Sequence, residues 1–279
     1  MTPDGSATQE EVFNATITDR QDLTSELTIV RVRPDGGKVP DFEPGQFIKL
    51  GLPRSEEECA NLPSAARVRS TPRLIRRAYS IASSPRQRAY LEFLMVRVEV
   101  GKLTPKLWTL EPGGRIWMDD KVSGRFTLES IPPGKDIVMV ATGTGIAPFI
   151  SMLRTYADAP RWRRAVVING VRYAADLAYR SELEALARDH SHIVYIPIVS
   201  REPTGPAAAW TGLRGRVQQV LDPHAYRSHV GAVLAPRDCH VMLCGNPEMI
   251  MSVQRMLEEQ GFHVHSPAQP GNIHFERYW

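Results

Sequence analysis

The sequence predicts two domains in series, an antiparallel β-barrel followed by an α/β domain with a parallel sheet. From Val12 to about Ile131, short β-rich runs are separated by Gly, Pro and Asp turn signals, the pattern of an antiparallel barrel. From Lys135 the pattern changes to strand-length apolar runs alternating with helix-length ones, as crossover-connected parallel strands require. Pro132-Pro133-Gly134 is the clearest linker between the two, so the domains are set at residues 1–134 and 135–279. A chain of 279 residues is also longer than the roughly 250 at which one core stops growing.

Within the first half, residues 12–18 and 27–32 read as strands, followed by the turn Pro34-Asp35-Gly36-Gly37. The Pro44-Gly45 turn leads into another strand at residues 46–50, and the regular pattern lapses over residues 54–76. The run from Arg77 to Ala82, residues 91–98 and the stretch from Arg115 are further strands. Between the last two, residues 101–107 read as a glycine turn that opens a short helix. In the second half, residues 136–141, 165–171, 193–199 and 239–243 are expected as strands. Residues 147–156, 179–188, 213–221 and 247–260 are expected as helices, with 202–212 and 222–238 as loops.

Composition narrows the function classes. With 42% hydrophobic and 23% charged residues the chain is an ordinary globular one. A net charge of +3 gives no basis for nucleic-acid binding. The longest apolar run, residues 137–150, is broken by Thr and Gly and falls short of the ~18 residues of a membrane span. The polar, acidic start lacks a secretory pattern, and three cysteines cannot all pair with one another, so a cytoplasmic protein is expected. Cys239 and Cys244 have iron–sulfur-like spacing but lack the remaining ligands, so no metal centre is expected. A monomer is expected.

Two stretches carry the chemistry. Arg77-Ala78-Tyr79-Ser80 offers a cation, a flat ring and a small hydroxyl within four residues of a strand. A flavin needs those three groups, for its pyrophosphate, its isoalloxazine face and the ring atom that takes up hydride. An ordinary barrel strand with a polar face has the same pattern. The second stretch, Thr142-Gly143-Thr144-Gly145-Ile146-Ala147-Pro148, follows a strand and opens a helix. Gly143 and Gly145 permit a tight turn against a pyrophosphate, while Pro148 replaces the third glycine of a dinucleotide fingerprint.

The following strands end in Val171-Arg172 and Ser200-Arg201, and Arg216 comes soon after. Arginines there, where an NAD enzyme carries an acidic residue, suit a 2′-phosphate and favour NADPH; singly each is also compatible with a solvated loop. Cys244-Gly245-Asn246-Pro247 ends the last strand, where a small thiol and a glycine let a nicotinamide approach, or where Cys244 is simply a buried small hydrophobe. The glycine turn before Lys102-Leu103-Thr104 can present backbone NH groups to a phosphate or serve as a plain connection. Arg67, Arg69, Arg73 and Arg76 form a basic row, either solvated or a dock for an acidic electron carrier. The chain ends in Glu276-Arg277-Tyr278-Trp279, whose aromatics can stack on a flavin or adenine or dock on an apolar patch.

Taken in order, RAYSIASSP, VGKLTPKL, ATGTGIAPFISMLR, SRE, CGNPEMI and the aromatic end resemble the ferredoxin–NADP reductase family, in its bacterial ferredoxin/flavodoxin branch, from Val12 almost to the end. The resemblance implies an FAD-binding barrel and an NADP-binding parallel sheet, with the cofactors meeting between them. Arg77, Tyr79, Ser80, Leu94, Met95, Val96, Lys102, Leu103, Thr104 and Thr142 match its FAD-contacting positions. Arg172, Ser200, Arg201, Arg216, Gly245, Asn246 and Pro247 match NADP-contacting ones, and Tyr179 is given no cofactor role. Two departures stand out: the loop at residues 54–76 is long, and Ala207 to Thr211 lengthens the loop before Arg216. Trp279 also follows Tyr278, where plastid-type relatives stop at one tyrosine.

The expected reaction is hydride exchange between NADP(H) and FAD, coupled to single-electron exchange with ferredoxin or flavodoxin. Ser80 is expected to bond near the flavin atom that takes hydride and Cys244 to help place the nicotinamide. Glu276 is expected to relay a proton or orient Ser80. Two alternatives stay open: a reductase serving an oxygenase, ferric or quinone acceptor, and a non-catalytic flavin or nucleotide sensor.

Overall fold

The structure is a computed structural model that describes residues 12–60, 74–204 and 209–277. Arg67, Arg69, Arg73, Tyr278 and Trp279 lie outside the described residues. Contacts divide the chain into two compact units, Met1–Phe42 with Gln46–Ser123, and Glu43–Gly45 with Gly124–Trp279. The Pro132-Pro133-Gly134 turn therefore belongs to the second unit.

The first unit is a six-stranded antiparallel sheet built from β1 (Ala15–Thr24), β2 (Leu27–Pro34), β3 (Phe47–Pro53), β4 (Leu74–Ser80), β5 (Leu91–Val96) and β6 (Arg115–Met118). Its spatial order is β4-β3-β6-β1-β2-β5. Alternation along the strands puts Ile17, Val30, Ile48, Leu50, Phe93 and Ile116 into one core, because successive side chains point to opposite faces. Irregularities between Ile17 and Asp19 and between Asp22 and Thr24 mark the long β1–β2 hairpin, the kind of bulge that bends and twists a pair. Two short helices, α1 (Glu56–Ala60) and α2 (Thr104–Leu107), interrupt the strands.

The second unit is a six-stranded parallel sheet in the order β10-β9-β8-β7-β11-β12. Its strands are β7 (Asp136–Thr142), β8 (Arg164–Val171), β9 (Ile193–Val199), β10 (Leu213–Arg214), β11 (Cys239–Gly245) and β12 (Ile273–Arg277). Connecting helices are α3 (Ala147–Tyr156), α4 (Arg180–Asp189), α5 (Val217–Val220), α6 (Pro223–Val230) and α7 (Pro247–Glu259). β7, β8 and β11 are almost wholly buried, which is why they read as unbroken apolar runs instead of alternating ones. From β7 the chain steps outward through β8, β9 and β10, then crosses to β11 and β12 on the other side. The strand order thus reverses between β7 and β11, and such a switch point leaves a crevice at the carboxyl ends of the two strands.

Two expectations are corrected by the fold. Residues 213–221 are not one helix: Leu213–Arg214 pairs in parallel with Ile198 and Val199, and Gly215 at φ 129° breaks the chain before Val217–Val220 turns helical. Residues 222–238 are not all loop, because they contain α6. Asp222 accepts bonds from the His224 and Ala225 amides, Pro223 occupies the first turn, and Gly231 ends the helix at φ 68°. The aromatic terminus is preceded by β12, which pairs with β11 over Val241–Gly245.

Where β11 and β12 adjoin, His240 and His274 stack with ring centres 5.3 Å apart and share an Nδ1···Nε2 hydrogen bond of 3.0 Å. His265 lies against His274 at 4.8 Å. Burial lowers the His240 pKa to about 4 and the His274 pKa to about 3, helped by Lys135 and His265 for the former and by the two neighbouring imidazoles for the latter. Unfolded histidines titrate near 6.5, so between that pH and about 4 the unfolded chain binds more protons than the folded one. Stability is therefore full above about pH 6.5 and is lost as pH falls, with a slope on the order of 1 kcal/mol per pH unit for each histidine. Urea unfolding at a series of pH values should show this slope, and the double variant His240→Gln/His274→Gln should flatten it.

Candidate cofactor sites

In the first unit the flavin-type residues lie on β4 and its neighbours. Arg77 is exposed, and its Nη1 donates to the Arg76 carbonyl at 2.8 Å, with no acidic partner among the described residues. Tyr79 is largely buried and meets Phe93 edge-on at 6.4 Å, and burial pushes its phenol pKa up, so the ring stays neutral. Ser80 is buried at the strand end, opposite Phe47 of β3, while Ala78 is exposed. Leu94 and Met95 are buried on β5, with Val96 half-buried at its end. An exposed guanidinium with no acidic partner among the described residues, a ring held at its edge and a hydroxyl within one strand fit a flavin nucleotide by donor chemistry.

The turn before α2 is more committed than its residue types suggest. The Thr104 hydroxyl accepts from the Val98 amide at 3.0 Å and donates to the Val98 carbonyl at 3.2 Å. A Cβ on Gly101 would lie 2.8 Å from that carbonyl, so glycine is what lets the turn close. Leu103 is buried in the core, and only Lys102 of the three is exposed.

In the second unit the switch point is built from two glycine turns. Gly143 sits at φ 54° and starts a 3₁₀ turn, Gly143–Ile146, that feeds α3. A Cβ on Gly145 would collide with the Cys244 carbonyl, and one on Gly245, at φ 129°, would collide with the Thr142 hydroxyl. Thr142 Oγ1 also accepts from the Asn246 amide at 2.9 Å, tying the end of β7 to the end of β11. Asn246 in turn caps α7, its side chain accepting from the Glu248 and Met249 amides, and Pro247 takes the first helical turn. Cys244 is fully buried and stands in register with Glu276 of β12, which places those two residues on adjacent strands.

The arginines come together one strand further out. The Arg201 amide bonds to the Arg172 carbonyl at 2.8 Å, the Ser200 amide to Val171 at 3.0 Å and the Gly215 amide to Val199 at 2.7 Å. The ends of β8, β9 and β10 thereby present Arg172, Ser200, Arg201 and Arg216 side by side. The three guanidiniums are exposed and have no acidic partner among the described residues, unlike Arg154, Arg163 and Arg180, each ion-paired to a carboxylate. Ser200 spends its hydroxyl on the Val171 carbonyl at 3.2 Å. This donor set beside a glycine turn fits a phosphorylated dinucleotide.

Sequence reasoning passed over Tyr179. It is the one non-glycine residue at positive φ (59°) among the described residues, and the Arg154 guanidinium lies 5.2 Å from its ring while pairing with Glu182. Nothing in a residue-type pattern signals such a conformation. Among the described residues no cluster of three or more His, Cys, Asp or Glu side chains could hold a metal, and no helix is long and apolar enough to cross a membrane.

Residues 139–255 match the family model for the oxidoreductase NAD-binding domain. The flavodoxin/ferredoxin–NADP reductase of Buchnera aphidicola subsp. Baizongia pistaciae is 35% identical over 243 residues, covering 86% of this chain and 89% of that protein. That of Escherichia coli K12 is 33% identical over the same shares. The chain belongs to the flavodoxin/ferredoxin–NADP reductase family. It is an oxidoreductase with that family's two-domain fold. A ferredoxin NADP⁺ reductase from Neisseria gonorrhoeae, solved with bound FAD and NADP, superposes with a TM-score of 0.80 at 26% identity, covering 96% of this chain and 99% of that one.

The glycine turns give a direct check. Gly245→Ala should destabilise the fold by roughly 2 kcal/mol or more, since a side chain there is both strained and crowded. Thr142→Val should cost about 1 kcal/mol by orphaning the Asn246 amide, whereas Thr142→Ser should be nearly neutral. Denaturant unfolding monitored by circular dichroism measures all three.

Proposed function

We propose that this chain binds FAD on its antiparallel unit and NADP(H) on its parallel unit, and moves electrons between NADPH and a ferredoxin or flavodoxin. The observation that carries the nucleotide half is the trio Arg172, Arg201 and Arg216, exposed and without an acidic partner among the described residues, at adjoining strand ends next to the Thr142–Asn246 switch point. When bound, FAD supplies the step between a two-electron hydride donor and a one-electron carrier.

The residues hold, orient and protect. Arg77 neutralises the flavin pyrophosphate, Tyr79 stacks on the ring system, and Ser80 donates a hydrogen bond to it. Leu94, Met95 and Val96 line the nucleotide with backbone groups and small apolar surface, as Lys102, Leu103 and Thr104 do beside the phosphates. Gly145 and Gly245 let the ends of β7 and β11 close on each other, which no Cβ would permit, and the turns at Gly143 and Asn246–Pro247 offer backbone groups to the second pyrophosphate. Arg172, Arg201 and Arg216 bind the 2′-phosphate, with Ser200 and Val171 supplying backbone support. Cys244 limits the space open to the nicotinamide, and Glu276, beside it in register, holds a proton for transfer. Tyr278 and Trp279 cover a cofactor ring.

Carrier docking follows from the basic loop. Arg76 is exposed and lies 4.2 Å over the Trp117 ring, so its charge is held outward, and Arg67, Arg69 and Arg73 extend the same patch in sequence. An acidic carrier would meet that patch by electrostatic steering. The protein acts as a cytoplasmic monomer in this reading.

The test is NADPH-driven reduction of purified ferredoxin and flavodoxin by the FAD-loaded protein at two ionic strengths. Turnover with one or both carriers is expected, falling about tenfold or more between low and high salt. FAD and NADPH binding with no carrier reduction would instead mark a sensor.

A further inference from the structure

The loop between β9 and β10 carries Ser200 and Arg201 at one end and leads to Arg216 at the other. The stretch that lengthens it contains Trp210, and this side chain does not face solvent. It is 5% exposed and packs with Val171, Leu177 and Val199, two of which immediately precede the arginine-bearing ends of β8 and β9. Its Nε1 donates to the Leu213 carbonyl at 3.0 Å, and the Arg180 guanidinium lies 5.0 Å from its ring. A Cβ on Gly212 would come within 2.5 Å of the same ring, so the chain closes tightly over it.

Arg214 completes the clamp. Unlike Arg172, Arg201 and Arg216, it turns its guanidinium onto two backbone carbonyls, Nη1 to Glu202 at 2.8 Å and Nη2 to Trp210 at 2.9 Å. Glu202 then accepts from the Ala174 amide at 2.8 Å, two residues after Arg172. Leu213 and Arg214 pair with Ile198 and Val199, which fixes where Arg216 emerges. One buried ring and one guanidinium thus connect all three of the arginine-bearing segments. Strand ends held in this way present their cations without the ordering cost that mobile ones would incur on binding.

We propose that Trp210 and Arg214 are positioning residues for nucleotide specificity: they set the spacing of Arg172, Arg201 and Arg216 to that of a ribose 2′-phosphate. The inference rests on the reading of those three arginines as 2′-phosphate ligands. The preference for a phosphorylated over an unphosphorylated ribose should therefore depend on two residues that never touch the phosphate.

The experiment is calorimetric titration of the FAD-loaded protein with adenosine 2′,5′-bisphosphate and, separately, adenosine 5′-monophosphate. Arg214→Lys keeps the charge and loses the double carbonyl clamp, while leaving the Trp210 core in place. It should weaken bisphosphate binding about tenfold and change monophosphate binding by less than about twofold. Trp210→Ala should do the same, and Trp210→Phe should restore most of the loss. Equal weakening of both ligands would reduce Trp210 and Arg214 to general stability, and an unchanged bisphosphate affinity in Arg214→Lys would also overturn the proposal. Arg201→Ala separates the two levels: if it abolishes the preference while the Trp210 and Arg214 variants retain it, only this inference falls. If Arg201→Ala retains the preference, the assignment of the arginines falls and takes the inference with it.

Discussion

Gly145 and Gly245 let the backbones of two parallel strand ends approach more closely than any side chain would allow, and the Thr142 hydroxyl fastens that approach to the Asn246 amide. The rest of the second unit is arranged around this contact. It lies where the strand order reverses, at the paired ends of β7 and β11, and α3 and α7 begin beside it. Each helix starts with proline in its first turn, which costs no hydrogen bond there. The result is an edge at which backbone, not side chains, forms the floor, the condition under which a pyrophosphate can be held by main-chain groups.

Charge is distributed with the same economy. Arg31 is paired with the buried Glu92, Arg163 with the buried Asp136, and Arg154 with Glu182. Those pairs hold strands and helices together. The guanidiniums at the ends of β8, β9 and the β10–α5 turn have no such counterpart among the described residues, and a cation without an internal partner is available to a ligand. Two charge-assisted bonds to a phosphate, about 3 kcal/mol together, correspond to roughly a hundredfold preference for the phosphorylated nucleotide. Clustering of exposed arginines raises local repulsion, which the Trp210 plug and the Arg214 clamp offset by anchoring the backbone that carries them.

Much of this was legible in the sequence, and the parts that were not share a cause. β7, β8, β9 and β11 announce themselves as apolar runs because both faces of a central parallel strand are buried. The glycine turns and Arg77-Ala78-Tyr79-Ser80 are local, so residue type and spacing suffice to find them. α6 was readable from Asp222-Pro223 and Gly231, but only Tyr226 and Val230 of its residues are buried, too few to give an apolar period. β10 is two residues long and exists only because β9 is there to pair with it. The commitments of Thr142 to Asn246, Thr104 to Val98 and Arg214 to Glu202 are matters of which partner lies across a fold, and a linear pattern records the donor without its acceptor. For the same reason, the sequence showed three arginines near strand ends but not that they lack carboxylate partners among the described residues.

With FAD bound, the protein should accept hydride from a nucleotide chosen by its 2′-phosphate. Anaerobic stopped-flow mixing with equal concentrations of NADPH and NADH, followed at the flavin absorbance, measures this in one experiment. Bleaching by NADPH should be at least about tenfold faster than by NADH. Equal rates with the two nucleotides, or no bleaching with either, would contradict it.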